Sequence, residues 1–247
     1  MFSLKPGVNT AGSSPSSDLV LPKSAPPSIG RFILKGDRVQ FEPQTNVKAT
    51  IKSKPLTGPT ELKHDEAKDG PDELEVGNIA LWVHLSGDRR TIRMRDDHGE
   101  VARGFAGFQW FPIEEKYRVT ARFIKDAASR QLPTPNQLGD VQTFTTEGVV
   151  EFALDGQTVR LRPMTTRPKR LYFIFRDGTS GKETYETARF LYSDLRDDGT
   201  TFLDFNQAYN PPCAFNPYTT CPLPLPENRL TVRILAGEKA YSHSPAH

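Results

Sequence analysis

Apolar and polar residues alternate with a period of two along much of the chain, the pattern of strands that turn one face to a core. The clearest run is 116–123, where Tyr117, Val119, Ala121 and Phe123 share one face and Lys116, Arg118, Thr120 and Arg122 the other. Similar short patterns occur at 32–34, 39–41, 79–85, 91–95, 149–154, 159–161, 171–175 and 230–234. Turn-forming residues separate most of them, among them Gly36-Asp37, Gly87-Asp88, Asp155-Gly156 and Asp198-Gly199. No stretch sustains a 3.6-residue period over three turns. The pattern predicts an all-β fold of antiparallel sandwich or barrel strands, with a small N-terminal sandwich-like part and a larger C-terminal β domain.

Proline sharpens this picture. The chain carries 21 in 247 residues, where ~12 would be usual. Six lie between Pro211 and Pro226, a stretch that also holds Cys213, Phe215, Tyr218 and Cys221. Proline cannot donate to a sheet ladder, so this stretch is expected as a proline-rich strap packed over a sheet. Residues 54–75, charged and rich in Gly and Pro, are expected as a loop or inter-domain boundary, and 126–140 as a long surface connection. The expected division is a β region at 1–60, a main β domain at 76–241 and a frayed tail at 242–247.

Composition narrows the function classes. Hydrophobic residues make up 36% and charged residues 25%, with a mean hydropathy of −0.54, values of a globular protein. A net charge of +2 gives no long-range pull toward nucleic acid or an anionic membrane. Arg89, Arg90, Arg93 and Arg95 precede Phe105, Phe108, Trp110 and Phe111, but Asp88, Asp96, Asp97 and Glu100 are interleaved. No nucleic-acid partner is therefore expected. The longest apolar runs, 79–83 and 171–175, fall far short of the roughly 20 residues that span a bilayer, so no membrane partner is expected. With no secretory signal in residues 1–7, a cytoplasmic location is expected. Cys213 and Cys221 have seven residues between them; a bridge would contribute about 2–3 kcal/mol, and a disulfide and a pair of reduced buried thiols both stand. His243 and His247 flank Pro245, and two thiols cannot complete a tetrahedral zinc site. No metal and no cofactor is expected.

Candidate chemistry gathers in the last third of the chain. If Asp198-Gly199 is the turn of a hairpin over 188–206, Ser193 lies opposite Asp204 and Leu191 opposite Asn206. Arg189, Ser193, Asp204 and Asn206 then share a polar face, while Phe190, Tyr192, Leu203 and Phe205 form a core face. Covered by the strap, the polar face would become a pocket in which Arg189 and Asp204 order a ligand. Asp177, Thr179, Ser180, Glu183 and Tyr185 form a polar turn after 171–175. Asp177 and Glu183 there are either paired carboxylates or ordinary turn formers. The ligand-binding candidates are thus Asp177, Thr179, Glu183, Tyr185, Arg189, Asp204, Asn206, Tyr209 and Asn210. Thr179-Ser180-Gly181 is not a Gly-x-Ser-x-Gly elbow, which disfavours serine hydrolysis.

Two function classes follow. One is a module binding a small polar ligand or a protein partner around Arg189, Asp204 and Asn206. The other is an enzyme, a hydrolase or isomerase, with Asp177, Glu183, Asp204 or Tyr209 as acid/base groups. An enzyme should enclose a carboxylate of raised pKa or a metal in a concave pocket. Catalytic residues and oligomeric state stay open.

Several uncommon strings occur in one order: Phe175-Arg176-Asp177-Gly178-Thr179-Ser180-Gly181-Lys182-Glu183-Thr184-Tyr185, then Leu203-Asp204-Phe205-Asn206-Gln207-Ala208-Tyr209-Asn210-Pro211-Pro212-Cys213, then Ala236-Gly237-Glu238-Lys239-Ala240-Tyr241. Together they resemble the bacterial, archaeal and fungal family catalogued as domain of unknown function 1684. The resemblance extends back through 93–96, 105–112 and 6–13, although members typically carry a further Trp-rich segment ahead of that point. It implies an architecture and no reaction. Gly7 and the run 12–21 also resemble the opening of a forkhead-associated β-sandwich. Ser13 stands where that family places a phosphate-reading Arg, and 27–30 offers no His, so the resemblance implies a shape and no phosphopeptide site.

Overall fold

The computed structural model describes residues 1–86, 88–136, 139, 141–216 and 219–242. Gly87 of one expected turn, Tyr218 of the proline-rich stretch and the histidines of the expected tail lie outside the described residues. The chain is nearly all β and divides into two compact units, Met1–Phe105 and Ala106–His247.

The first unit holds β1 (Phe2–Ser3), β2 (Gly7–Gly12), β3 (Leu19–Val20), β4 (Gly30–Lys35), β5 (Arg38–Pro43), β6 (Ala49–Ile51), β7 (Lys54–Pro55), β8 (Thr60–Leu62), β9 (Leu74–Val76), β10 (Ile79–Ser86) and β11 (Arg89–Asp96). They form two sheets, in the orders β1-β11-β10-β9-β6-β7 and β3-β2-β4-β5-β8. Phe32, Phe41 and Leu62 of the second sheet share one core with Leu74, Leu81, Val83 and Ile92 of the first, which makes a sandwich. Residues 54–75 are not a boundary, because β8 pairs with β5 and β9 pairs with both β6 and β10. The charged centre of that segment is tied down as well: Asp65 accepts from the Leu85 amide at 3.1 Å and contacts the His84 ring. The division falls at 105/106 instead, since β10 and β11 pair with β9 and β1 and so belong to the sandwich.

The second unit holds β12 (Arg118–Pro135), β13 (Val141–Leu154), β14 (Gln157–Leu161), β15 (Met164–Arg167), β16 (Arg170–Phe175), β17 (Arg189–Asp194) and β18 (Thr200–Asp204). The sheet order is β17-β16-β15-β13-β12-β18, with β14 added on β13. The sheet curls until its end strands lie side by side. No ladder joins them, but the Arg196 amide donates to the Thr200 carbonyl and the Thr201 hydroxyl to that of Asp194. The concave side is a core of Val150, Phe152, Leu161, Phe173, Phe175, Leu191, Leu203, Phe205 and Ile234. Alternation at 117–121 reads correctly into it, with Tyr117 and Ala121 buried and Arg118 and Thr120 exposed.

The other face of β16 and β17 is covered too. Tyr172, Ile174 and Phe190 pack there with Cys213, Ala214 and Cys221 of the proline-rich stretch. Both cysteines are buried thiols, not a disulfide. Contact with Cys213 and burial push the Cys221 thiol pKa up.

Residues 126–135 are not a surface connection but the continuation of β12, paired with β13 as far as Pro135 opposite Val141. Residues 127–131 of this arm are exposed on both faces and rest on main-chain pairing, whereas Leu132 and Thr134 beyond them are buried, Leu132 in one cluster with Met164, Tyr172 and Cys213. A bulge between Lys125 and Arg130 bends the arm. Arg162 ties the bulge in place, donating to Asp126 at 2.6 Å, to the Gly148 carbonyl at 3.1 Å and to Glu227 at 2.7 Å. Gly148 faces this bend so closely that a Cβ would stand 2.3 Å from the Ile124 carbonyl oxygen and 2.7 Å from the Phe123 ring. Gly148→Ala should therefore destabilise the second unit by about 1–3 kcal/mol through overpacking. Urea unfolding reads this directly, and an unchanged midpoint would contradict the close approach.

Candidate functional site

The sequence candidates separate into two groups in space. The first is a buried knot around Arg189. This side chain is fully buried, and its Nη1 donates to Asp177 Oδ2 at 2.6 Å and to the Ile234 carbonyl at 3.1 Å, while Nη2 donates to the Ala236 carbonyl. The Phe175 ring lies 5.4 Å from the guanidinium. Asp177 Oδ1 accepts from the Thr179 amide and hydroxyl at 2.7 and 2.6 Å, and the Thr179 hydroxyl meets that of Thr184 at 2.8 Å. Burial pulls the Arg189 pKa down and Asp177 counters it. Next to the knot, Glu238 accepts from the Asn210 amide at 2.8 Å, and the Asn210 side chain donates to the Lys239 carbonyl at 2.8 Å. Burial raises the Glu238 pKa.

These contacts overturn the expected hairpin face. β17 pairs with β16, Phe175 opposite Arg189 and Arg170 opposite Asp194, and β18 pairs with β12, Arg118 opposite Asp204. Arg189 therefore points inward with Leu191 and Ser193, all buried, whereas Tyr192 is 36% exposed. Arg189 meets Asp177, not Asp204. The physical reason is that Asp177 and two carbonyls offer acceptors to both terminal nitrogens of the guanidinium inside, leaving only its Nε without a partner among the described residues. The proline-rich stretch covers the opposite face of these strands, around Phe190.

Other candidates are engaged in tertiary contacts. Asn206 exchanges hydrogen bonds with the main chain of Glu114 at 3.0 and 3.1 Å. Glu183 accepts from Arg233 at 2.6 Å, which lowers its pKa. Tyr185 is buried against Cys213, and burial pushes its hydroxyl pKa up to about 12.

The second group lines a cleft of about 580 Å³ where the sheet fails to close, between β17 and β18. Its walls are Arg118, Arg170, Tyr192, Ser193, Asp194, Leu195, Arg196, Phe202, Asp204, Gln207 and Tyr209. Of the sequence candidates, Asp204 and Tyr209 are here. Asp204 caps the turn that follows β18, accepting from the Asn206 amide and side chain at 3.2 and 2.9 Å and from Gln207 at 2.9 Å. The main chain of Tyr209 exchanges hydrogen bonds with Phe190. Burial raises the Tyr209 hydroxyl pKa to about 12, and contact with Tyr192 adds to this.

The electrostatics of the cleft are uneven. Arg170 pairs with Asp194 at 2.7 Å and lies 4.9 Å from the Tyr192 ring, which itself stacks on Tyr172 at 4.6 Å. Arg118 and Arg196 lie 4.8 and 4.3 Å from one ring, that of Phe202. Among the described residues neither is in an ion pair. The Ser193 hydroxyl is buried and has no partner among the described residues. The two arginines carry no mark in the sequence, since Arg118 reads as an ordinary outward position of its strand and Arg196 as part of a turn, while Ser193, expected on the polar hairpin face, is buried instead. Among the described residues no three His, Cys, Asp or Glu side chains converge as metal ligands.

A family model described as "Protein of unknown function (DUF1684)" matches residues 103–239. An uncharacterised protein of Haloarcula marismortui, solved in solution by NMR, is 29% identical over 56% of this chain and 78% of its own, with a TM-score of 0.47. No curated protein matches the chain.

Two outcomes test the buried knot. Arg189→Leu leaves Asp177 as a buried charge without its cation and should cost about 3–5 kcal/mol, part of which Asp177→Leu in the same chain should restore. Chemical denaturation of the single and double variants checks this, and an unaffected single variant would overturn it. Glu238 binds its proton more tightly in the folded chain than at its ordinary value of 4.5. The stability it contributes is thus full below about pH 4.5 and falls as pH rises through the native pKa. Glu238→Gln should gain on the wild type between about pH 4 and about pH 7 in urea midpoints, and a constant difference would refute the burial effect.

Proposed function

We propose that this chain, which belongs to the DUF1684 family, is a binding module that takes a small polar ligand in the cleft between β17 and β18. The observation that carries the reading is that two arginines without ion-pair partners among the described residues, both set on the Phe202 ring, stand in the wall of one cleft. A volume near 580 Å³ lies in the range of small-molecule sites, about 300–1,000 Å³.

The acid/base candidates speak for binding over catalysis. Asp177 and Glu183 are held by Arg189 and Arg233, and Asp204 by the turn it caps. The carboxylate with a raised pKa, Glu238, does not line the cleft.

Gln207 is exposed at the cleft wall, so Gln207→Trp should obstruct entry while changing stability by less than about 0.5 kcal/mol. In a thermal-shift screen of polar metabolites, compounds that stabilise the wild type should lose their effect on this variant. A library without a single stabiliser, or stabilisers that act equally on Gln207→Trp, would refute the reading.

A further inference from the structure

The chemistry of the cleft names a class of ligand, an inference that rests on the binding reading above. At one end Arg118 and Arg196 lie against Phe202, and among the described residues neither is in an ion pair, the exposed Asp198 acting on Arg196 only at longer range. A guanidinium is a planar fork of donors suited to the paired oxygens of a carboxylate or phosphate. Held against an aromatic ring it loses little further freedom on binding, and the contact with Phe202 leaves its donors uncommitted.

The rest of the lining has a different character. Asp194, Asp204, Gln207 and the Tyr192 and Tyr209 hydroxyls mix acceptors and donors within the same cleft. Carboxylates repel a second anionic group and accept hydrogen bonds from hydroxyls. Asp194 already meets Arg170 and Asp204 already meets Asn206 and Gln207, so each is oriented before a ligand arrives. Two of the cleft's rings are already engaged, which weighs against a stacking base: Tyr192 has Tyr172 and Arg170 against it, and Phe202 has the two arginines. We infer that the cleft binds a phosphorylated polyol, its phosphate on Arg118 and Arg196 and its hydroxyls along Asp194, Asp204 and Tyr209.

Titration calorimetry on the full chain with glucose 6-phosphate, glucose and inorganic phosphate tests this. Glucose 6-phosphate should bind about tenfold or more tightly than either of the others, because it uses both ends of the cleft. Arg118→Gln and Arg196→Gln, both at exposed positions, should each weaken it by about tenfold or more, the loss of a charge-assisted hydrogen bond, and leave glucose unaffected. Vesicles of phosphatidylcholine and phosphatidylinositol 4-phosphate distinguish the source: co-sedimentation that glucose 6-phosphate competes away supports the same chemistry on a lipid headgroup, and its absence assigns it to the free sugar phosphate. Glucose binding as tightly as glucose 6-phosphate, or inorganic phosphate binding as tightly, would overturn the inference. If sugar phosphate is silent while uncharged library compounds still depend on Gln207, the class is wrong and the binding reading stands. Binding of any compound that ignores Gln207→Trp removes the binding reading itself.

Discussion

A guanidinium without contact with water sets the arrangement of the second unit. Removing an ion from water costs several kcal/mol, so Arg189 can be buried only if the chain brings acceptors to it. Asp177 comes from just beyond β16, and the carbonyls of Ile234 and Ala236 from the C-terminal segment. That segment is then held so close that Gly237, at φ +78°, has no room for a side chain: a Cβ would stand 2.4 Å from the Ala208 carbonyl oxygen. The next residue, Glu238, bonds Ala208 and Asn210, and the residue between them, Tyr209, is locked to Phe190 on the edge of β17.

The cleft is a consequence of that locking. Tyr209 occupies the edge of β17 at Phe190, and the turn after Leu195 joins its far end to β18, so the edge around Tyr192 stays unpaired with a strand. An open sheet edge invites association with other chains, and charged side chains are the usual protection. Arg118, Arg170, Asp194 and Asp204 meet that need here. The same charges give the opening its capacity to hold a polar ligand, so edge protection and recognition share one set of residues.

Alternation served well where a strand had one wet face. It placed Tyr117 and Ala121 inside and Arg118 outside, and it identified 171–175 as a strand. It misread β17, because within Arg189-Phe190-Leu191-Tyr192-Ser193 two aromatics outweigh one leucine, and the acceptors that let Arg189 turn inward lie elsewhere in the chain. The arm of β12 and β13 escaped for the opposite reason: 127–131 have water on both faces, and the buried Leu132 and Thr134 alternate with prolines, which do not mark a strand. Of the candidate site, Asp204 and Tyr209 were legible from the polar string they belong to. Arg118 and Arg196 were not, since nothing near them in sequence marks a strand edge left open.

What the sequence determined by itself is local or collective: the β class, the inward residues of its half-buried strands, and the strings that carry its family. These need only the period of a strand and the identity of neighbouring residues. The tertiary structure alone decided that residues 79–96 complete the first unit, that β17 turns its arginine inward, and that Arg118 and Arg196 meet on the Phe202 ring beside one opening. Each of these rests on partners far apart in the chain, 47 residues in the case of Arg189 and Ala236. The cost of burying a charge is settled by what surrounds it in space, and no periodicity along the chain encodes that.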